Sequence, residues 1–349
     1  MSVITRCVAF LTCLLLASYS GWWVSSSYEN GDLRRYIFNS KFGQQYFLKK
    51  EEKRSFQLGQ GTVTCPAENY FGIASFGQSH FSNVMLRQEA VDLSGLDVVM
   101  YDWVTGNCYP YKEPLVGTTG SFGKNNFKDQ VTHEVLSNKY PYIGGNMMTT
   151  LIEKLRGQGF NRTIVVGAFA VGGSSAFYWS NGRQLSRLNA FLQRSKQRNI
   201  NFDLFLWHQG ATDAIPRLYN HHSKVEVGHE SKTKFQLYKS ALEKILRQVK
   251  LAYPLAKIGI AISSKCNGAW IAQKNGGDKY IHFVDNEIAE AQRIVALEGD
   301  DYFISAETND LLGRYLWDGC HYYPSGEDVV ITRYIESILA NLNQVIKVN

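Results

Sequence analysis

Five short, continuous apolar runs, separated by segments of helical periodicity, set the main constraint on what this chain can fold into. The runs are Tyr70–Phe76, Leu96–Tyr101, Thr163–Phe169, Phe202–Trp207 and Ile258–Ile262. Strands apolar on both sides need cover on both faces, as a parallel sheet between helices provides. Between the last four runs lie Met147–Arg156, Leu185–Lys196 and Lys234–Ala252. The last of these carries a Leu237, Leu242, Ile245, Leu246 and Val249 stripe that reads as core packing. A closing helix is expected from about Gly326 to Leu342. This alternation predicts an α/β chain: a three-layer α/β/α sandwich around a central, mostly parallel five-stranded sheet. Residues 61–349 hold that domain, with no repeat or low-complexity linker inside it. Residues 103–145 break the rhythm. They are rich in Gly, Asn, Tyr and Lys and longer than a routine connection, a length that accompanies function or disorder.

The N-terminus reads separately. After Arg6, an apolar run extends from Cys7 to Val24, followed by polar residues. Such a run is either a cleaved secretory signal or an uncleaved membrane anchor. Ala17, Ser18, Ser20 and Gly21 suit cleavage, whereas Trp22 and Trp23 extend the run to the roughly 18–20 residues of a spanning helix and fit an interfacial belt. Both options export the rest of the chain, with membrane contact only through residues 1–24 and only if they stay attached. Residues 25–60, charge-rich through Arg54, read as a stalk or peripheral segment. The net charge of +6 is spread without a basic block, which disfavours nucleic acid as a partner. Beyond the leader stand four cysteines, Cys65, Cys108, Cys266 and Cys320. Export makes disulfides plausible, three pairings are open, and no CxxC spacing suggests zinc.

In open parallel sheets, ligands bind beyond the carboxyl ends of the strands. There the sequence places Gly77-Gln78-Ser79-His80, then Val171-Gly172-Gly173-Ser174, then His208-Gln209-Gly210-Ala211-Thr212-Asp213, and Asp318-Gly319-Cys320-His321 before the last helix. Each has a plain explanation. A Gly-x-Ser after a strand is usually a turn and helix cap, paired glycines serve tight turns, and Asp–His pairs are common on surfaces. His80 also reads as structural, because adjacent side chains diverge. Together they mean more, since a nucleophile needs a base and the base needs an orienting acceptor. Residues 117–124 look like a phosphate loop but fail on spacing, with Asn125 where Ser or Thr is needed. His221, His222 and His229 lack accompanying carboxylates or thiolates and read as a solvated loop rather than a metal site.

These segments resemble the SGNH hydrolase superfamily and, within it, the sialate O-acetylesterase-like carbohydrate esterases, over about Tyr70 to Leu339. That family shows Gly-Gln-Ser-Asn, Gly-Gly-Thr/Ser, Gln-Gly-Glu-Ser/Thr-Asp and Asp-x-x-His blocks; here His80 replaces the Asn and Ala211 the Glu. The resemblance implies a flavodoxin-like fold and a serine esterase that removes acetyl groups from a glycan or polysaccharide without a cofactor or metal. Ser79 would be the nucleophile, His321 the base and Asp318 its orienter. Oxyanion donors would come from the backbone of Ser79, of Gly172 or Gly173, and from the Gln209 side chain. His80, Trp103 and Tyr322 are candidates for sugar contact, with Tyr109, Tyr111 and Tyr323 near the expected cleft. Loss of the Glu is expected to loosen the third loop. An acetyltransferase with the same triad and an inactive carbohydrate-binding relative are the alternative functions. Because Cys266 follows the fifth strand and Cys320 lies in the Asp-x-x-His loop, the expected disulfides are Cys266–Cys320 and Cys65–Cys108, against four free thiols.

Overall fold

The computed structural model describes residues 41–58, 61–120, 123–124, 127–128, 135–215, 233–266 and 284–342. Residues 1–24, expected to be a signal or anchor, lie outside the described residues, as do residues 25–40, His221, His222 and His229. Among the described residues, no helix is long and apolar enough to cross a membrane.

All five expected strands form: β1 (Tyr70–Gly77), β3 (Val98–Asp102), β7 (Thr163–Ala168), β8 (Leu204–His208) and β9 (Lys257–Ile262). They lie in one sheet, which among the described residues has seven strands rather than five. The additions are β4 (Asn107–Pro110), paired antiparallel to β3, and β10 (Tyr302–Glu307), paired parallel to β9. Both are edge strands, in the order β10-β9-β8-β1-β7-β3-β4. Neither has a long apolar run: β4 is four residues and ends in Pro110, which an edge tolerates, and β10 is apolar only over Tyr302–Ile304 before Ser305 and Glu307 interrupt it. A second, small antiparallel sheet joins β2 (Met85–Arg87), β5 (Gly123–Lys124) and β6 (Tyr142–Gly145), two of its strands within the long connection.

Alternate side chains of the central strands point to opposite faces, and each face is filled. On one, Phe71, Ile73, Ile164, Val166, Leu204 and Leu206 pack against α2 (Met147–Gly157) and α8 (Pro324–Asn341). On the other, Phe76, Val165, Phe205 and Trp207 meet α4 (Arg183–Gln197), α6 (Lys234–Ala252) and α7 (Asn286–Leu297). Two short helices, α3 (Ala176–Ser180) and α5 (Ala211–Ala214), follow β7 and β8. The result is the three-layer α/β/α sandwich with a mostly parallel sheet.

The end of the charge-rich N-terminal segment is a helix, α1 (Lys41–Arg54), packed on α4. Phe47 and Glu51, one turn apart, face inward while Lys49, Lys50, Lys53 and Arg54 stay exposed. Glu51 pairs with the fully buried Arg187 at 3.2 Å, and Arg187 also donates to the carbonyls of Glu51 and Gly117 at 2.9 Å. Burial pulls the Arg187 guanidinium down to about 10 despite the opposing pull of Glu51. Removing one member of such a pair strands the other charge. Glu51→Ala is expected to lower folding stability by about 3 kcal/mol, seen as an earlier urea midpoint at unchanged m-value.

Candidate active site

β1 ends at Gly77, whose φ of 118° favours glycine. A Cβ there would lie 2.4 Å from the carbonyl oxygen of His208, so the β1 and β8 backbones approach as only glycine permits. The Gln78 N–H then donates to that carbonyl at 3.0 Å. Ser79 follows at the start of a single 3-10 turn, Ser79–Phe81, and is half-buried. The loop after β7 faces it: a Cβ placed on Gly172 would be 3.9 Å from the Ser79 Cβ.

The Asp318–His321 loop precedes α8, which starts with Pro324 in its first turn. Asp318 folds the loop upon itself. Its Oδ1 accepts the N–H groups of Cys320 (2.9 Å) and His321 (2.6 Å), and its Oδ2 lies 2.5 Å from His321 Nδ1. An ionised carboxylate only accepts, so Nδ1 carries the proton and Nε2 is the basic nitrogen. That Nε2 is buried and has no hydrogen-bond partner among the described residues. The ring is stacked on Trp317, with centroids 5.5 Å apart and planes 24° apart. Burial pushes the His321 imidazolium down, but the charge and hydrogen bond of Asp318 outweigh it and its pKa is raised. Burial pushes Asp318 up, and His321 together with the two backbone N–H groups reverses that, so it is lowered.

His80 brings the two loops together. Its Nε2 lies 3.0 Å from the Cys320 carbonyl oxygen, and its ring centroid is 5.7 Å from that of His321. The neighbour of Ser79 thus touches both the residue before His321 and the His321 ring. The Cys266–Cys320 disulfide pins the same loop to the end of β9, with 4.5 Å between Cα atoms. The second disulfide, Cys65–Cys108, fastens β4 to the segment before β1. Both are the expected pairs.

The oxyanion candidates separate by what their donors already do. The Gly172 N–H donates to Thr119 Oγ1 at 3.0 Å. Gln209 is fully buried, and its amide donates to the Ser174 carbonyl (3.0 Å) and the Asp213 carboxylate. With both hydrogens engaged, Gln209 is a brace and not the expected oxyanion donor. The N–H groups of Ser79 and Gly173 make no hydrogen bond among the described residues. The expected loosening at Ala211 is also absent. Gln78 Oε1 accepts the N–H groups of Gly210 (3.2 Å) and Thr212 (3.0 Å), and Tyr238 donates to Gln209 Oε1 at 2.9 Å. Burial raises the Asp213 carboxyl to about 7, against the hydrogen bonds from Gln209 and Ala176.

The expected sugar contacts need correction. His80, Trp103 and Tyr322 are at most 1% exposed, and Tyr109 and Tyr111 are also core residues. Trp103 lies under Arg187 and Arg194 and donates Nε1–H to the Gly117 carbonyl at 2.7 Å. Aromatic content alone did not distinguish wall from core. Of the group, Tyr323 is half-buried and lines a cavity of about 500 Å³ with Leu136, Lys139, Tyr140, Arg314 and Ser325. Tyr140 and Tyr323 pack on the cluster that includes Trp317, the ring stacked on His321.

Two buried polar residues behind the loop were not anticipated. His208 stacks on His80 at 4.4 Å, and burial, then Lys265, pulls it down to about 3. Lys265 donates to the carbonyls of Thr308 and Leu311, and burial pulls it down to about 7. A histidine closing an apolar strand, and a lysine beside a disulfide cysteine, were the available signals.

A scan against protein-family models and a search of curated proteins return no match. Solved structures to which the chain is similar include a protein from Arabidopsis thaliana, 12% identical, covering 77% of this chain and 98% of that one, with a TM-score of 0.48. A carbohydrate acetylesterase family member from Sinorhizobium meliloti is 13% identical over 78% and 99% of the two chains, with a TM-score of 0.42. A carbohydrate acetylesterase from Xanthomonas citri is 13% identical over 78% of this chain and 56% of that one, with a TM-score of 0.45.

Proposed function

We propose that this chain is a serine esterase of the SGNH type that removes O-acetyl groups from a carbohydrate. Ser79 Oγ attacks the acetyl carbonyl carbon while His321 Nε2 takes its proton. The tetrahedral intermediate collapses, and the same proton passes from His321 to the departing sugar oxygen. Water then attacks the acetyl-enzyme by the same route, releasing acetate and restoring Ser79. Asp318 keeps the imidazole in the tautomer that exposes Nε2 as the base. The N–H groups of Ser79 and Gly173 are the oxyanion donors, and one such donor typically contributes about 100- to 1,000-fold in rate.

The observation that carries this reading is the His321 ring. Nδ1 is held by Asp318, Nε2 is buried without a partner among the described residues, and the loop abuts the Ser79 turn through His80. Ala211 gives no support to an inactive relative, because Gln78 and Tyr238 hold the third loop without a glutamate. The cavity beside Tyr323 is the proposed seat of the sugar. The apolar run at residues 7–24 and the two disulfides support export, with the run as signal or anchor.

The test is acetate release from O-acetylated glycans as a function of pH. A base must be neutral to act, and Asp318 raises the pKa of His321. So kcat/KM is expected to rise with pH through a midpoint above the ordinary imidazole value of about 6.5. No acetate from any acetyl ester at any pH would defeat the reading.

A further inference from the structure

We infer that His80 is a positioning residue that sets the placement of His321 relative to Ser79, through one line of hydrogen bonds crossing three loops at the sheet edge. The inference rests on the Ser79–His321 reading above and adds to it how the two halves of the site are held in register.

The line starts in the third loop. The N–H groups of Gly210 and Thr212 donate to Gln78 Oε1. The other end of the same amide, Gln78 Nε2, lies 3.5 Å from His80 Nδ1. His80 Nε2 then lies 3.0 Å from the Cys320 carbonyl oxygen. A carbonyl only accepts, so His80 carries its proton on Nε2, and Nδ1 is left to accept from the Gln78 amide. The ring is therefore neutral, with both nitrogens used. Burial, followed by His208, His321 and Lys265, also pulls its pKa well below the ordinary value, with the Cys320 carbonyl as the one opposing contact. A charged His80 would have no acceptor at Nδ1 and would face His321, His208 and Lys265.

The ring's surroundings fix its plane. His208 stacks on it with planes 12° apart, and Tyr322 lies 5.0 Å away on the residue after His321. His208 is in turn held by Tyr334 of α8, whose hydroxyl lies 3.1 Å from Nδ1. Among the described residues, His80 is the side chain that joins the residue after the nucleophile to the loop of the base by a hydrogen bond. The disulfide ties that loop to β9, and Asp318 ties it to itself; neither reaches β1. An error of about 1 Å in the placement of a reacting group costs on the order of 100-fold in rate.

The experiment compares wild type with His80→Phe, His80→Asn and His80→Gln. Phe fills the space without a donor. Asn keeps a polar group but is too short to span to the Cys320 carbonyl. Gln places an N–H at about the distance of the imidazole Nε2. Phe and Asn are expected to lower kcat about 100-fold with KM nearly unchanged, and Gln to restore most of it. In parallel, 15N NMR of the His321 ring follows its tautomer and titration in each folded variant without reference to turnover. Altered His321 resonances are expected in Phe and Asn and near-native ones in Gln. Phe and Asn variants that keep kcat within about threefold of wild type, or a Gln variant no better than Asn, would overturn the inference. If wild type shows no esterase activity, the functional reading fails, and the NMR arm still decides: His321 resonances identical in wild type and Asn would reject the positioning role.

Discussion

Ser79→Ala is expected to reduce kcat for acetate release by about 10⁴-fold or more, with folding and glycan binding retained. In the proposed mechanism Ser79 is the nucleophile, so its loss removes the acetyl-enzyme path as a whole, and single losses within such a unit cost nearly as much as losing all of it. The side chain is small and half-buried at the start of a 3-10 turn, and the described structure gives its hydroxyl no hydrogen bond to lose. The turn is held instead by Gln78, His80 and the Gly77–His208 approach, none of which the substitution touches. A thermal midpoint within a few degrees of wild type, beside the lost turnover, separates a chemical role from a folding one. A Ser79→Ala variant releasing acetate at more than a tenth of the wild-type rate would remove Ser79 from the mechanism.

Asp318→Asn is expected to have the next largest effect, lowering kcat about 10⁴-fold. The amide oxygen can still accept the N–H groups of Cys320 and His321, which keeps the loop folded. The amide nitrogen then faces His321 Nδ1 as a donor, so the imidazole moves its proton to Nε2 and presents no base toward Ser79. The pH profile adds an independent sign. The charge of Asp318 is what raises His321 against burial. Its loss therefore shifts the acid limb of the residual activity to lower pH. An Asp318→Asn variant with unchanged kcat, or an acid limb moved to higher pH, would contradict the assigned orientation.

The sandwich was legible because its central strands are apolar on both sides, and periodicity reports burial directly. The two edge strands escaped for the same reason: β4 and β10 are covered less, so their apolar stretches are short, stopping at Pro110 in β4 and at Ser305 in β10. Helix α1 was hidden by its charges, since Glu51 is buried only because Arg187 waits for it on α4, 136 residues away. At the site, residue order carried the turn of Ser79 and the Asp318–His321 loop, whose pairing is local. The Cys266–Cys320 disulfide was legible because the end of the fifth strand and the Asp318–His321 loop share an edge, and Cys65–Cys108 because the two cysteines bracket the first strands. Hydrogen-bond partners were not. Gln209 has the chemistry of an oxyanion donor and is spent on Ser174 and Asp213, and His80 has the chemistry of a ligand and is spent on Cys320. An amide or imidazole is read in sequence by what it can do, whereas burial among partners decides what remains for a substrate.

The most direct measurement is peptide mapping of the folded protein after reaction with a fluorophosphonate, which marks serines that a neighbouring base activates. One adduct on the peptide containing Ser79, lost in His321→Ala, is the predicted result. An adduct on a different serine, or an unmodified Ser79 in protein whose circular dichroism shows it folded, would contradict the pairing of Ser79 with His321.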